Sequence, residues 1–446
     1  LKRVETLWGP HGYHRYPAKF IPQLVRRIIE IYSAKGSLVG DPFLGSATTA
    51  IEALRSGRNF WGADINPVAR LISQAKCTPI NPTTLNASWQ PIDEQLAILP
   101  RIGRRTLTEQ ERTAILSIDI ARANSEQRLA YWFPAAHSMS LKQLLDIVIS
   151  LPDEAIRIFY LCAFSNILRN CSIWLSGSTK PQKDIEKTLS DPVDAFRRQA
   201  RNMIKRNSLY WVDLTEAGLC PTSLTERCII DLQDARSLPL TDGQLDLIVT
   251  SPPYATCYQY LEIHQLSQLW FERHNLLNPI DLRHTCIGGK GVSNREEREV
   301  VSSTGSGAAD RALLKLKQLE KERATIVDRE VRALRYYFQD MRAVMNELAR
   351  VVARGKYLVL IVGDSFKRGI TIPTSAALCN MAAESGFNLE RRIVRKVPVR
   401  VLVSTRDKNT GRFSSTRESD TQAYPEEDVL IFKRAIANRR GRRPNG

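Results

Sequence analysis

The 446-residue chain has no run of about 18 apolar residues, so no membrane-spanning helix is expected. Its opening, Leu1-Lys2-Arg3-Val4-Glu5, has no apolar core of a secretory signal, and it begins on Leu rather than Met, which leaves the natural N-terminus open. The eight cysteines, Cys77, Cys162, Cys171, Cys220, Cys228, Cys257, Cys286 and Cys379, form no CxxC pair and have no His at metal-ligand spacing. They read as reduced thiols of a cytoplasmic protein, and no metal site is expected. Acidic residues are short, with 47 Asp and Glu against 64 Lys and Arg. The resulting net charge of +17 points to a polyanionic partner, nucleic acid first, though charge alone says nothing of fold or chemistry. Internal repeats are absent too. What the chain does have is 43% hydrophobic and 25% charged residues, enough for a core and too apolar for wholesale disorder. Its length fits two or three domains, or one large domain carrying insertions.

The texture changes along the chain. Residues 20–80 alternate helix and strand signals: FIPQLVRRIIEIY has helical spacing, SLVGDPF is a short apolar run, TTAIEALRSG is a helix ending near Gly57, and NFWGADINP is a second strand. That is a β-α-β unit, which implies a parallel sheet. Residues 82–225 are instead a series of amphipathic helices, with a capping box at Thr108 and Glu111. Strand signals resume in RCIIDLQDA and QLDLIVTSPPY. A charged helical segment, about 311–353, precedes the apolar strand KYLVLIVGDS, and RRIVRKVPVRVLVS and EEDVLIFKR close the chain as strands. The Gly- and Ser-rich stretch 288–310 reads as a mobile loop, and the basic tail should fray.

Two segments carry chemistry. In GDPFLGSATTAIEA, residues 40–53, an acidic residue ends a strand, a tight Gly-containing turn follows and a helix begins. Such a turn lets a ligand approach backbone amides and a helix N-terminus. Asp64 ends the next strand, where a carboxylate can accept from a ribose diol. The turn lacks the second Gly of a dinucleotide fingerprint and the Lys of a P-loop, so a nucleoside without phosphates fits best. An ordinary strand-turn-helix of another α/β protein remains the alternative. In LDLIVTSPPYATCYQY, residues 245–260, a buried strand delivers Ser251-Pro252-Pro253-Tyr254 to its C-terminal edge. The prolines stiffen the loop and keep their carbonyls as acceptors. Ser251 adds a hydroxyl and Tyr254 an aromatic face, which together suit a planar base bearing an NH₂ group. A rigid turn with a packing Tyr is the competing interpretation.

Taken jointly, DPFLGSATT, ADINP and TSPPY resemble the S-adenosylmethionine-dependent DNA amino-methyltransferases, which methylate cytosine N4 or adenine N6. HRYPAKFIPQLVRRI, residues 14–28, is similar to the family's N-terminal motif over the methionine end of the cofactor, and DLQDARSLPL, residues 231–240, to its adenine-reading strand. The resemblance spans roughly residues 8–80 and 225–434. It implies a Rossmann-like class I α/β fold with a mostly parallel seven-stranded sheet and a helical insertion. The cofactor-binding residues it implies are Tyr16, Lys19, Phe20, Asp41, Phe43, Gly45, Ser46, Thr48, Asp64, Ile65, Asp234 and Ala235, with Ser251, Pro252, Pro253 and Tyr254 catalytic. Phe20 suits the core equally well, and Trp61 suits either the core or a wall beside the adenine. Two departures stand out. The family's turn usually carries Gly where Ala47 stands, and the large insertion falls between the ribose-binding and adenine-binding strands.

The resemblance thus implies a site-specific methyltransferase of a prokaryotic modification system acting on double-stranded DNA, with S-adenosylmethionine as cofactor; a cognate restriction endonuclease is a candidate companion, and the sequence does not say whether one accompanies it. Ser251 leans the target towards cytosine N4. Adenine N6, or the exocyclic amine of a tRNA base, is the alternative, and a non-enzymatic binding protein of the same fold is a third. The domain boundaries expected are 1–81 for the first half of the catalytic domain, 82–225 for the insertion and candidate target-recognition region, and 226–275 for the catalytic-motif half. Residues 276–345 are then a loop and charged helix, 346–434 the last catalytic strands, and 435–446 a disordered basic tail. The basic segments 391–412 and 196–206 are candidate phosphate contacts or simply solvated faces. A nucleophilic role for Cys257 is disfavoured, and His264 reads as structural.

Overall fold

The structure is a computed structural model. It describes residues 6–16, 20–178, 180–255, 260–278, 286–287, 303–318, 324–396, 405–406, 413–414, 421–422 and 426–436. The chain runs through α1 (Pro22–Tyr32), β1 (Leu38–Asp41), α2 (Thr48–Arg55), β2 (Asn59–Asp64) and α3 (Pro67–Cys77). Six helices follow: α4 (Pro82–Ile98), α5 (Glu109–Leu116), α6 (Ser125–Trp132), α7 (Ala135–Ile149), α8 (Glu154–Ile167) and α9 (Pro192–Glu216). Then come β3 (Cys228–Leu232), β4 (Leu245–Thr250), α10 (Tyr260–Ile263), α11 (Gln265–Arg273), α12 (Gly307–Gln318) and α13 (Ala324–Val351). The last elements are β5 (Val352–Val362), α14 (Thr374–Glu384), β6 (Phe387–Lys396) and β7 (Glu426–Arg434).

The main sheet has seven strands in the order β3-β2-β1-β4-β5-β7-β6. β4 pairs parallel with β1 and β5, and β2 with β3, whereas β7 runs antiparallel to both β5 and β6. This is the Rossmann-like class I arrangement. The order reverses between β1 and β4, and open α/β sheets bind ligands beyond the carboxyl ends of strands at such a switch point. Among the described residues, no helix is long and apolar enough to cross a membrane.

The chain divides into two compact units. The first comprises Leu1–Arg27, Leu44–Leu232 and Gln259–Leu282. Its apolar core draws on α3 (Leu71, Ile72), α7 (Leu144), α8 (Phe159, Phe164), α9 (Phe196) and α11 (Trp270). Trp270 meets the edges of Phe133 and Phe164, each ring centroid 5.8 Å away. The helices between α3 and β3 therefore share their core with elements on both sides in sequence. Local rules set their starts. Asn66, Asn81 and Asp191 each cap a helix whose first residue is Pro, and Thr108 and Glu111 form a complete capping box.

The second unit comprises Ile28–Phe43, Gln233–Tyr258 and Arg283–Gly446. Its central strands β4 and β5 are apolar and largely buried. Two boundaries differ from the sequence reading. The loop expected over 288–310 lies outside the described residues up to 302, but α12 already begins at Gly307. Asp310 anchors the turn before it, accepting from Thr304 N–H at 2.8 Å and from the Ser303 hydroxyl at 2.7 Å. β5 begins at Val352, directly after α13, rather than at Lys356. Val352 pairs with Leu245, then the register slips so that Leu247 faces Tyr357, with Gly355 at φ +77° inside the slip.

Asp191 shows how much one cap can hold. Its carboxylate is buried and accepts from Asp194 N–H at 3.0 Å, Ile102 N–H at 2.7 Å and Gly103 N–H at 2.9 Å. Burial alone would raise its pKa, but these N–H donors outweigh burial and hold it below the ordinary range. Asp191→Ala should therefore cost about 2 kcal/mol of stability in urea unfolding. The lost stabilisation belongs to the ionised form, so it is present above pH about 4 and fades as pH falls further. The gap between wild type and variant should narrow in acid.

Candidate active site

In the second unit, β1 and β4 come very close. A Cβ at Gly40 would lie 2.7 Å from Leu245 Cδ1, so a larger residue there would force the Leu245 side chain to shift. Asp41 at the end of β1 is buried and accepts from the Thr250 hydroxyl at 2.6 Å and from Phe43 N–H at 3.1 Å. The two strand ends are thereby bonded where the strand order reverses. Thr250 leads directly into Ser251, Pro252, Pro253 and Tyr254. Pro252 is buried, and Ser251, Pro253 and Tyr254 are half-buried. The Tyr254 hydroxyl lies against Gly363 at the end of β5, 3.7 Å from where a Cβ would stand.

Asp234 follows β3 and is clamped by Arg236. The backbone N–H of Arg236 reaches Asp234 Oδ1 at 2.9 Å, its Nε at 3.0 Å, and its Nη2 reaches Oδ2 at 2.5 Å. Arg236 Nη1 also donates to the buried Asp340 of α13 at 2.9 Å. Burial opposes the Arg236 charge, but the two carboxylates outweigh it and raise its pKa. Ala235 is buried beside them.

In the first unit, the turn before α2 is organised by Asp64. Its Oδ2 accepts from Gly45 N–H at 2.9 Å and its Oδ1 from Asn66 N–H at 2.8 Å. Burial raises the Asp64 pKa, while the N–H groups of Asn66, Gly45 and Ile65 pull the other way. Below the turn, Ser73 Oγ donates to Gly45 O at 3.2 Å, and the buried Lys76 Nζ donates to Ser46 O and Ser46 Oγ at 3.1 and 2.9 Å. Thr48 begins α2 and is buried, and Ile65 is half-buried. Tyr16 is half-buried, with its ring centroid 5.1 Å from that of His264. Phe20 is half-buried, whereas Lys19 lies outside the described residues, as does Cys257. Trp61 is buried in β2, its Nε1 donating to Asp231 at 2.9 Å.

Sequence reasoning did not single out Lys76, Asn66 or Arg236, and it passed over His264 as a residue within an apolar helix. His264 stands between α10 and α11, is 3% exposed, and has Nδ1 3.0 Å from Asn66 Nδ2. Burial, aided by Arg169 and Lys76, lowers its pKa to about 3. The basic face of α9 is partly spoken for, since Arg197 and Arg201 both pair with Asp93. Most of the basic segment 391–412 lies outside the described residues.

Comparison with known proteins agrees with this geometry. A family model described as DNA methylase, of the N6/N4 type, matches residues 2–75. Type II methyltransferase M.MvaI of Kocuria varians is 25% identical over 400 residues, covering 87% of this chain and 84% of its own. The chain thus resembles DNA amino-methyltransferases over residues 2–75 and a type II methyltransferase over most of its length. Type II methyltransferase M.BsoBI of Geobacillus stearothermophilus is 26% identical over 57% of this chain and 51% of its own length. DNA adenine methyltransferase YhdJ of Escherichia coli (strain K12) is 44% identical over 54 residues, 12% of this chain and 18% of its own.

Members of this family draw the methyl group from S-adenosylmethionine, a nucleoside joined through a charged sulfur to an amino-acid end. The residues present fit such a ligand. Gly45 holds φ +51°, and a Cβ there would stand 3.3 Å from the Tyr16 hydroxyl, so the turn offers bare backbone for close approach. Asp64 has about four lone-pair sites and three backbone donors, which leaves capacity for a hydroxyl. His264 Nε2 is buried with no hydrogen-bond partner among the described residues.

Ala47 resolves the departure seen in the motif. It adopts the left-handed conformation that glycine takes most readily, φ 62° and ψ 29°, and is fully buried. Ala47→Gly would relieve that strain but lose a packed methyl and loosen the unfolded chain, so stability should change by less than about 1 kcal/mol. Ala47→Val adds a β-branched side chain to the same conformation and should cost about 2 kcal/mol or more in thermal or urea unfolding.

Proposed function

We propose that the protein transfers a methyl group from S-adenosylmethionine to the exocyclic amine of a base flipped out of double-stranded DNA, with cytosine N4 the favoured target. The observation that carries this reading is the Ser251-Pro252-Pro253-Tyr254 segment, which continues β4 beyond its bond to Asp41. An exocyclic amine is a poor nucleophile because its lone pair is delocalised into the ring. Ser251 Oγ and the Pro252 carbonyl can accept its hydrogens, localising the lone pair and stabilising the charge that develops on nitrogen. The Tyr254 ring offers the base a stacking face. Bound S-adenosylmethionine supplies a methyl group activated by its sulfonium charge. Asp64 would hold its ribose, the Gly45–Ser46 turn and Thr48 would approach its backbone-facing side, and Asp234, fixed by Arg236, would read its adenine amine. Asp41 and Phe43 support that surface, and Tyr16, Lys19 and Phe20 are assigned to the amino-acid end.

Flipping a base costs a few kcal/mol. Stacking on an aromatic ring returns about 1–3 kcal/mol, and phosphate contacts from a chain of net charge +17 supply the remainder. The family's use of Ser at the first catalytic position leans towards cytosine. The similarity to an adenine methyltransferase over 54 residues favours adenine N6 as the second reading. The type II relatives support a site-specific prokaryotic modification role beside a restriction endonuclease.

Labelled S-adenosylmethionine should transfer its methyl group to unmethylated genomic DNA and not to bulk tRNA, with the label found on cytosine N4 after digestion to nucleosides and mass spectrometry. Tyr254→Ala should lower the rate about 10- to 100-fold, from lost stacking, and Asp64→Ala should weaken cofactor binding. Label on adenine would overturn the choice of base, and label confined to tRNA would overturn the choice of nucleic acid.

A further inference from the structure

The buried cluster around His264 has no part in methyl transfer as described above. Asn66 Oδ1 accepts from Val68 N–H at 3.0 Å as the cap of α3, which leaves its Nδ2 to donate to the imidazole. His264 Nδ1 is therefore the acceptor, and the neutral ring carries its proton on Nε2. That N–H is buried and without a partner among the described residues. Native proteins rarely leave a buried donor unpaired, since its desolvation is uncompensated.

Positive charge gathers around the same ring. Lys76 is fully buried with its Nζ on Ser46, and Arg169 donates to the carbonyl of Ile263, the residue before His264, at 2.8 Å. Burial and the neighbouring Arg15 bring the Arg169 pKa down to about 10. The nearest acid of the ribose motif, Asp64, already accepts from backbone N–H groups. Tyr16 stands beside His264 and reaches the Gly45 turn, so the cluster adjoins the residues assigned to the amino-acid end of the cofactor.

We propose that His264 Nε2–H binds the carboxylate at the amino-acid end of S-adenosylmethionine, with Lys76 and Arg169 providing the surrounding positive charge. Asn66 is the positioning residue, because it fixes the tautomer that makes Nε2 a donor. The inference rests on the function proposed above and extends it to a residue outside the recognised motifs.

The test is calorimetric titration of wild type, His264→Leu and His264→Gln with two ligands. S-adenosylhomocysteine carries the carboxylate, and 5′-methylthioadenosine lacks the whole amino-acid end. His264→Leu should weaken S-adenosylhomocysteine about ten-fold or more and leave 5′-methylthioadenosine within about two-fold. The second ligand also shows that the variant is folded. His264→Gln, whose amide can offer an N–H near the Nε2 position, should recover part of the loss. An equal loss for both ligands would mean a structural role, and no loss for S-adenosylhomocysteine would mean no contact. Either result overturns this inference and leaves the proposed function standing. If wild type binds neither ligand, the cofactor assignment falls and this inference falls with it.

Discussion

The Asp64 carboxylate is the constraint on which the turn before α2 and the start of α3 depend. One oxygen takes the amide of Gly45 and the other the amide of Asn66. The first bond shapes the turn before α2, and the second sets the start of α3. Asn66 then caps α3 with its side-chain oxygen and directs its amide to His264. A single half-buried acid thus fixes two backbone segments and, through one of them, the tautomer of the His264 ring. Desolvation raises its pKa, and the N–H donors of Asn66, Gly45 and Ile65 offset part of that rise.

Comparable economy appears in the second unit. Asp41 joins the ends of β1 and β4, and Arg236 joins Asp234 to Asp340. In each case an acid at or just past a strand end is oriented by near neighbours before any ligand arrives. Their geometry is set in advance, which is the condition for electrostatic help without reorganisation. The same habit tempers what net charge implies. Arg197 and Arg201 on α9 share Asp93, and Arg392 on β6 pairs with Asp428, so part of the basic excess is engaged within the protein.

What could be read from the sequence was local. The β-α-β unit, the capping box at Thr108 and the strand before Ser251 depend on neighbours a few residues apart, and spacing rules describe them well. The start of α12 was obscured because Gly and Ser dominate its approach, while the stabilising contacts of Asp310 lie with Ser303 and Thr304. The early start of β5 was hidden by a bulge that breaks its apolar run at Gly355. Lys76, His14 and Asp340 could not be read at all, because their partners Ser46, Ser165 and Arg236 lie 30, 151 and 104 residues away. A buried charge looks like a surface charge until the fold supplies its neighbour. Ala47 shows the converse: its departure from the motif was visible, but that it would take the glycine conformation unchanged was not.

The direct passage from α13 into β5 gives the second unit a mechanical character. Helix and strand adjoin at Val351 and Val352 with no connecting residue, and the slip at Gly355 follows three residues later. Asp340 sits on that helix and holds Arg236, which holds Asp234. The acid that follows β3 is thereby held both by its own loop, through Arg236, and by the helix that leads into β5. Asp340 thus ties the position of Asp234 to that of α13.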